Sequence, residues 1–168
     1  MDYEDVVRDF AERTYRNLEV IEQLARQGND VYETTQLVNS LLGLLVFPQQ
    51  RYFKRIPAIP LQELELRGWP LPKVTGAFAE VADLRQLMRY LRNAISHFNV
   101  EFIRGEDCTI GGIKVWNWGE LTDQNGEPIL DHRGRPRHGI TWAAELRIDE
   151  LRGIAKKFIE LLLARSID

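Results

Sequence analysis

An arginine, an asparagine and a histidine lie within six consecutive positions, from Arg92 to His97. Histidine gains and loses a proton near neutral pH, and the guanidinium of arginine offers a planar fork of donors to a phosphate. Together, Arg92 and His97 could therefore cleave an RNA phosphodiester. Asn93 lies one helical turn before His97, so the two side chains can meet. The alternative interpretation is a solvated helix face, on which arginine and histidine are common and have no function.

The residues around this group have the periodicity of an α-helix. Between Thr75 and Phe98 the apolar residues recur at steps of three and four, which predicts a helix over this range. The predicted buried arc consists of Leu84, Leu87, Met88, Leu91, Ala94, Ile95 and Phe98. The opposite arc consists of Arg85, Gln86, Arg89, Arg92, Asn93, Ser96 and His97. Arg89 and Ser96, on this polar arc, are therefore further candidates for substrate contacts.

The segment Arg92-Asn93-Ala94-Ile95-Ser96-His97 resembles the Rx4-6H motif of the HEPN superfamily (higher eukaryotes and prokaryotes nucleotide-binding). The apolar run 41–48 and the segment 98–102 resemble a compact HEPN subfamily that is associated with mobile elements and defence genes. The resemblance implies a metal-independent endoribonuclease of single-stranded RNA, without a cofactor, and a role as a toxin or defence effector. Arg92, Asn93 and His97 would be its catalytic residues. It also implies a homodimer in which two motifs line one shared active site.

A non-catalytic module is the alternative within the same resemblance. Some HEPN proteins bind RNA, nucleotides or proteins without cutting, and some act with a partner such as a nucleotidyltransferase antitoxin. The net charge of −3 and the pI of about 5.7 favour this alternative, because proteins that coat nucleic acid are basic overall. A nuclease needs only a local basic patch, so both interpretations stay open.

The length and composition predict one globular domain over residues 1–168. Cys108 is the only cysteine, so an internal disulfide is excluded. The acidic first residues lack the apolar region of a signal peptide. The longest apolar run, 41–47, is too short to cross a bilayer. We therefore expect a cytoplasmic protein without a membrane partner.

The predicted fold class is mainly α, a HEPN-like four-helix bundle with a small antiparallel β insert at about 99–147, between the third and fourth main helices. Asp30 and Asp149 are the predicted N-caps of the second and fourth helices. A Pro-rich insert at about 48–74 would contain a short helix at 61–67. The main helices are expected at 2–27, 30–47, 75–98 and 149–166. The strands are expected at 99–103, 110–118 and 140–146, with a bulge or turn at Gly111-Gly112.

Two segments outside the motif are basic. The Pro-rich insert has five basic residues against two acidic ones, with aromatic residues interleaved, which suits single-stranded RNA. Arg51, Lys54 and Arg55 are its candidate substrate contacts; the alternative is a solvated loop whose aromatic residues pack on the core. The segment 131–139 is either a phosphate-contacting loop or a hairpin tip that charge keeps soluble. Its His132 and His138 have no ligand partners at metal-binding spacing, so we predict no metal site.

Overall fold

The computed structural model describes residues 3–46, 56–106 and 109–164. We number its elements in chain order. The helices are α1 (Tyr3–Arg26), α2 (Glu33–Val46), α3 (Leu61–Leu66), α4 (Leu84–Ser96) and α5 (Ile148–Ala164). The strands are β1 (Lys73–Val74), β2 (Val100–Arg104), β3 (Ile110–Glu120) and β4 (His138–Arg147).

The described residues form an α+β fold, so the prediction of a four-helix bundle with a β insert is wrong. The strands make one antiparallel sheet in the order β1-β4-β3-β2. Val115, Trp142 and Leu146 of this sheet are buried in the same apolar cluster as the helices. The sheet is therefore a layer of the core and does not decorate a completed bundle, because its apolar residues need the helices to cover them.

The helices cover one another and the sheet in a defined order. Both α4 and α5 pack against β3, and α5 also contacts β4. Helix α2 packs on α4 and α5, and α1 packs on α2 and α5. This arrangement holds the motif helix α4 between α2 and the sheet. Its polar side is left beside the end of the β3–β4 pair.

Helix α4 begins at Leu84 and not at Thr75, so the predicted start of the motif helix is wrong. The carboxylate of Asp83 accepts the backbone N–H of Gln86 at 2.7 Å, and the Gln86 amide oxygen accepts the N–H of Ala82 at 2.6 Å. The first bond satisfies one of the N–H groups that a helix start leaves unbonded, and the second fixes the residue before the N-cap. The pattern Asp-x-x-Gln is visible at 83–86 in the sequence. The apolar residues before it also recur at helical spacing, so the predicted helix began too early.

Helix α4 ends in a left-handed residue that is not glycine. Phe98 has a φ of 55°, its N–H bonds to the carbonyl of Ile95, and the N–H of Asn99 bonds to the carbonyl of Ala94. These are the two bonds of a Schellman motif. Phe98 thus leaves the helix wheel, and its side chain is 84% exposed. Its predicted place on the buried arc is wrong.

Most other predicted elements are confirmed to within a few residues, but both predicted caps are wrong. Asp30 is exposed ahead of α2, which begins at Glu33. Helix α5 begins at Ile148, where the Glu150 carboxylate accepts the N–H of Arg147 at 2.7 Å. Strand β1 was not predicted, because two residues are too short to show a pattern. The bulge alternative at Gly111-Gly112 is confirmed, since Gly111 is skipped between the pairs 103/112 and 104/110.

Candidate functional site

An open cleft of about 500 Å³ lies between the polar side of α4 and the end of the β3–β4 pair. Its wall on the α4 side includes Asn93 and His97, two residues of the predicted catalytic set. The complete lining consists of Tyr90, Asn93, His97, Asn99, Asn117, Trp118 and Thr141. We call this space the motif cleft.

Arg92 joins this site through Asn93. An Arg92 guanidinium nitrogen donates to the Asn93 amide oxygen across 3.3 Å. His97 lies five positions after Arg92, which places the two side chains about 140° apart around an α-helix. Arg92 accordingly does not line the motif cleft, whereas His97 is exposed at the C-cap of α4. Asn93 is the residue that links the arginine to the cleft containing the histidine.

Two other predicted contacts, Ser96 and Arg89, are not among the residues that line the motif cleft. The Ser96 hydroxyl donates to the backbone carbonyl of Arg92 at 2.6 Å, and Ser96 borders an apolar depression on another side of α4. Arg89 is exposed, with its guanidinium carbon 5.9 Å from the centre of the Tyr90 ring. The remaining three predicted contacts, Arg51, Lys54 and Arg55, lie outside the described residues.

The sheet side of the motif cleft was missed by sequence reasoning. Asn117 pairs with Trp142 and Trp118 pairs with Ile140, so Thr141 is skipped in the register. A bulge of this kind changes the direction of neighbouring side chains. Here Asn117, Trp118 and Thr141 all border the same cleft. The available signal was an asparagine between two tryptophans in a strand that otherwise predicted a buried face.

Asn117 is polar and buried. Its side chain is 9% exposed, and its amide nitrogen has no hydrogen-bond partner within the described part of the chain. The indole nitrogen of Trp142, its neighbour across the strand pair, is likewise buried and unpartnered there. Buried polar groups in native proteins are nearly always bonded, so an unpaired donor beside a cleft calls for an explanation.

An apolar patch lies near the C-terminal end of α4. Phe98, Phe102 and Val46 are 84%, 55% and 42% exposed, respectively. Phe98 and Phe102 border a depression of about 260 Å³ that Leu42 and Ile95 also line. We call Val46, Phe98 and Phe102 the apolar patch. Because His97 and Phe98 are consecutive, the patch and the motif cleft meet at the same helix end.

The loop between β3 and β4 holds two turns with the pattern Asp-x-x-Gly-x-Pro, at 123–128 and 131–136. In the second turn the carboxylate of Asp131 accepts the N–H groups of Arg135 and Arg133 at 3.0 and 2.8 Å. Both bonds lower the pKa of Asp131 below its usual value, and the bond from Arg135 has the larger effect. The side chains of Arg133, Arg135 and Arg137 are exposed. The segment predicted as a basic loop is therefore an ordered basic turn.

In the described ranges, 3–46, 56–106 and 109–164, the chain has neither a cluster of metal ligands nor a membrane-spanning helix. No group of three or more His, Cys, Asp or Glu side chains there is arranged to hold a metal ion. None of the helices in those ranges is both long enough and apolar enough to cross a membrane.

The whole chain, residues 1–168, matches the family model described as HEPN pEK499 p136. No curated protein matches the chain, and no solved structure matches it. The match confirms the resemblance to the HEPN superfamily that the motif predicted.

Proposed function

We propose, since the chain belongs to the HEPN pEK499 p136 family, that it is a metal-independent endoribonuclease of single-stranded RNA. The observation that carries the proposal is the motif cleft, an open space that Asn93 and His97 line together while Arg92 is bonded to Asn93. Histidine can transfer a proton, arginine can stabilise charge on a phosphate and an amide can orient either of them, which together suit cleavage of RNA by its own 2′-hydroxyl. The protein would act in the cytoplasm as a toxin or defence effector.

The proposed reaction uses the nucleophile that RNA itself carries. The 2′-oxygen forms a bond to phosphorus and loses its proton, while the bond from phosphorus to the 5′-oxygen breaks and that oxygen gains a proton. His97 moves one of these protons as a general acid or base. Arg92 stabilises the negative charge that grows on the phosphate oxygens, and Asn93 orients His97 or the phosphate. The products are a 2′,3′-cyclic phosphate and a 5′-hydroxyl, and DNA resists the reaction.

A homodimer is part of this proposal, and the apolar patch supports it. Large exposed apolar side chains that lie together commonly mark an interface. The patch contains residues of α2, of the α4 terminus and of β2, so its burial against a second copy would bring the two motif helices close together. Each cleft would then lie beside its counterpart, as the shared active site of the family requires.

The first test is a cleavage assay with EDTA present, on an end-labelled RNA of mixed sequence and on the DNA of the same sequence. We expect wild type to cut only the RNA and His97→Ala to lose cleavage. Asn17→Ala is the control, because Asn17 is an exposed polar residue of α1 outside every proposed contact. It should cut like wild type.

Two outcomes would contradict the proposal. Equal cutting by wild type and His97→Ala would remove His97 from the chemistry. A folded wild type that binds the RNA and leaves it intact would favour the non-catalytic alternative, a binding module that acts with a partner.

A further inference from the structure

We propose that the motif cleft is a nucleobase subsite, in which one base of the RNA stacks on Trp118 and accepts a hydrogen bond from the amide of Asn117. This inference rests on the proposed RNA cleavage. It adds the group that selects the nucleotide beside the scissile bond.

The amide of Asn117 points to a ligand with a hydrogen-bond acceptor. Its nitrogen is buried and unpartnered among the described residues, and Asn117 borders the cleft. Leaving such a donor unbonded is unfavourable, because it has given up water without gaining a partner. A carbonyl oxygen or ring nitrogen of a base in the cleft would supply that partner.

Trp118 offers a surface for stacking. It is 61% exposed, although tryptophan is usually well buried, and it borders the same cleft. Single-stranded RNA is recognised largely by stacking of unpaired bases on aromatic side chains. Tyr90 contributes a second ring on the α4 side, where it packs on buried Trp142 with 5.1 Å between the ring centres. Tyr90 is thus supported by the core.

The lining carries little charge, so it suits a neutral base better than a phosphate. Among the described residues that form it, His97 is the only ionisable side chain apart from the Tyr90 phenol. The others offer amides, a hydroxyl and an indole, which suit a neutral planar ring with polar edges. Cationic groups, among them the guanidinium of Arg92, lie outside the lining of the cleft. The cleft volume of about 500 Å³ falls within the usual range for small-molecule sites.

The position of His97 connects the subsite to the chemistry. His97 and Asn93 lie on the α4 side of the cleft, and Asn117 and Trp118 lie on the sheet side. A base held between these two walls leaves its ribose and phosphate at the rim with His97. The subsite would therefore select the nucleotide adjacent to the cleaved bond.

The test compares cleavage of one mixed-sequence RNA by wild type, Trp118→Ala and Asn117→Ala, with the fragment ends sequenced. We expect wild type to favour particular bases at one position next to the cut. Trp118→Ala should raise KM by about 5- to 150-fold, the change expected for loss of base stacking, with a smaller change in kcat. Both variants should flatten the base preference. Tyr32→Ala and Asn17→Ala, which remove an exposed ring and an exposed amide elsewhere, are the matched controls and should behave like wild type.

Asn117→Asp separates a specific amide contact from a folding defect. It keeps the shape of the side chain and removes the donor, so it should also lose the base preference while thermal unfolding reports an intact fold. If Asn117→Asp melts well below wild type, Trp118→Leu replaces it, because Trp118 is exposed and its substitution should not disturb the core. KM and base preference are then measured for Trp118→Leu.

The possible outcomes separate this inference from the proposed nuclease activity. If wild type and the cleft variants cut with the same base profile and KM, the subsite is overturned and the nuclease stands. If wild type does not cut, binding of short labelled homopolymers replaces cleavage as the readout. Base-dependent binding that Trp118→Ala weakens supports the subsite without the nuclease. Equal binding by wild type and both variants overturns it.

Discussion

At the scale of residues, side-chain partners divide the motif into groups with different roles. His97 is exposed at a cleft, and Asn93 both borders that cleft and accepts a hydrogen bond from Arg92. Ser96 lies between them in sequence, yet its hydroxyl hydrogen is donated to the carbonyl of Arg92. Such a back-bond is common for serine within helices. It leaves the hydroxyl without a proton to donate to a phosphate.

We expect Arg92→Lys to lower kcat for RNA cleavage by about 100-fold or more. A lysine keeps the charge but loses the fork, and loss of one donor to a developing oxyanion typically has an effect of about this size. Ser96→Ala, on the same helix, should cleave almost like wild type. Single-turnover cleavage with excess enzyme measures both. Equally severe losses in the two variants would assign a substrate contact to Ser96.

At the scale of elements, both ends of α4 are set by local bonding. Asp83 and Gln86 define its start, and the Schellman bonds around Phe98 define its end. The left-handed conformation suits glycine and is unfavourable for a bulky residue. A phenylalanine at this position presents its ring to solvent beside His97. The exposed ring belongs to the apolar patch that we propose as the dimer interface, and it is held there at the expense of backbone strain.

Two substitutions at Phe98 separate the contribution of the aromatic ring from the cost of the left-handed backbone. Phe98→Ala removes the ring and keeps an unfavourable backbone, whereas Phe98→Gly removes both. We expect Phe98→Gly to have the larger free energy of unfolding of the two, by about 1 kcal/mol, because glycine adopts a positive φ freely. Both should weaken self-association relative to wild type. Urea denaturation and analytical ultracentrifugation give the two readouts, and an alanine variant as stable as the glycine variant would argue against the strain.

At the scale of the whole molecule, a buried acid connects distant parts of the chain. Glu22 of α1 is 7% exposed and lies 3.1 Å from Arg152 and 3.0 Å from Lys156, both on α5. Arg26 of α1 also contacts its carboxylate, at 3.3 Å. Arg152 reaches Glu33 at the start of α2 as well, at 3.6 Å. This cluster joins α1, the start of α2 and α5.

Loss of the central carboxylate should destabilise the fold. We expect Glu22→Ala to reduce the free energy of unfolding by about 2 kcal/mol, since charge-assisted bonds to a buried group are among the stronger ones. Glu12→Ala is the control, because Glu12 forms an exposed pair with Arg16 on the same helix. Such pairs contribute less than about 1 kcal/mol. Chemical denaturation of the two variants side by side measures the difference, and equal losses would show that burial of Glu22 adds nothing.

The sequence by itself determined the helices, the three longer strands and the motif segment of this protein. Apolar periodicity reports which face of each element is buried, and the Arg92–His97 spacing is visible without a fold. Only the tertiary structure decided that the sheet is a layer of the core. The sequence around Val115 and Trp142 predicts that they are buried but not which helices cover them. It also decided that Asn117 and Trp118 face His97 across a cleft. Contacts between residues far apart in the chain depend on how all buried surfaces are packed together, and a local pattern does not contain that information.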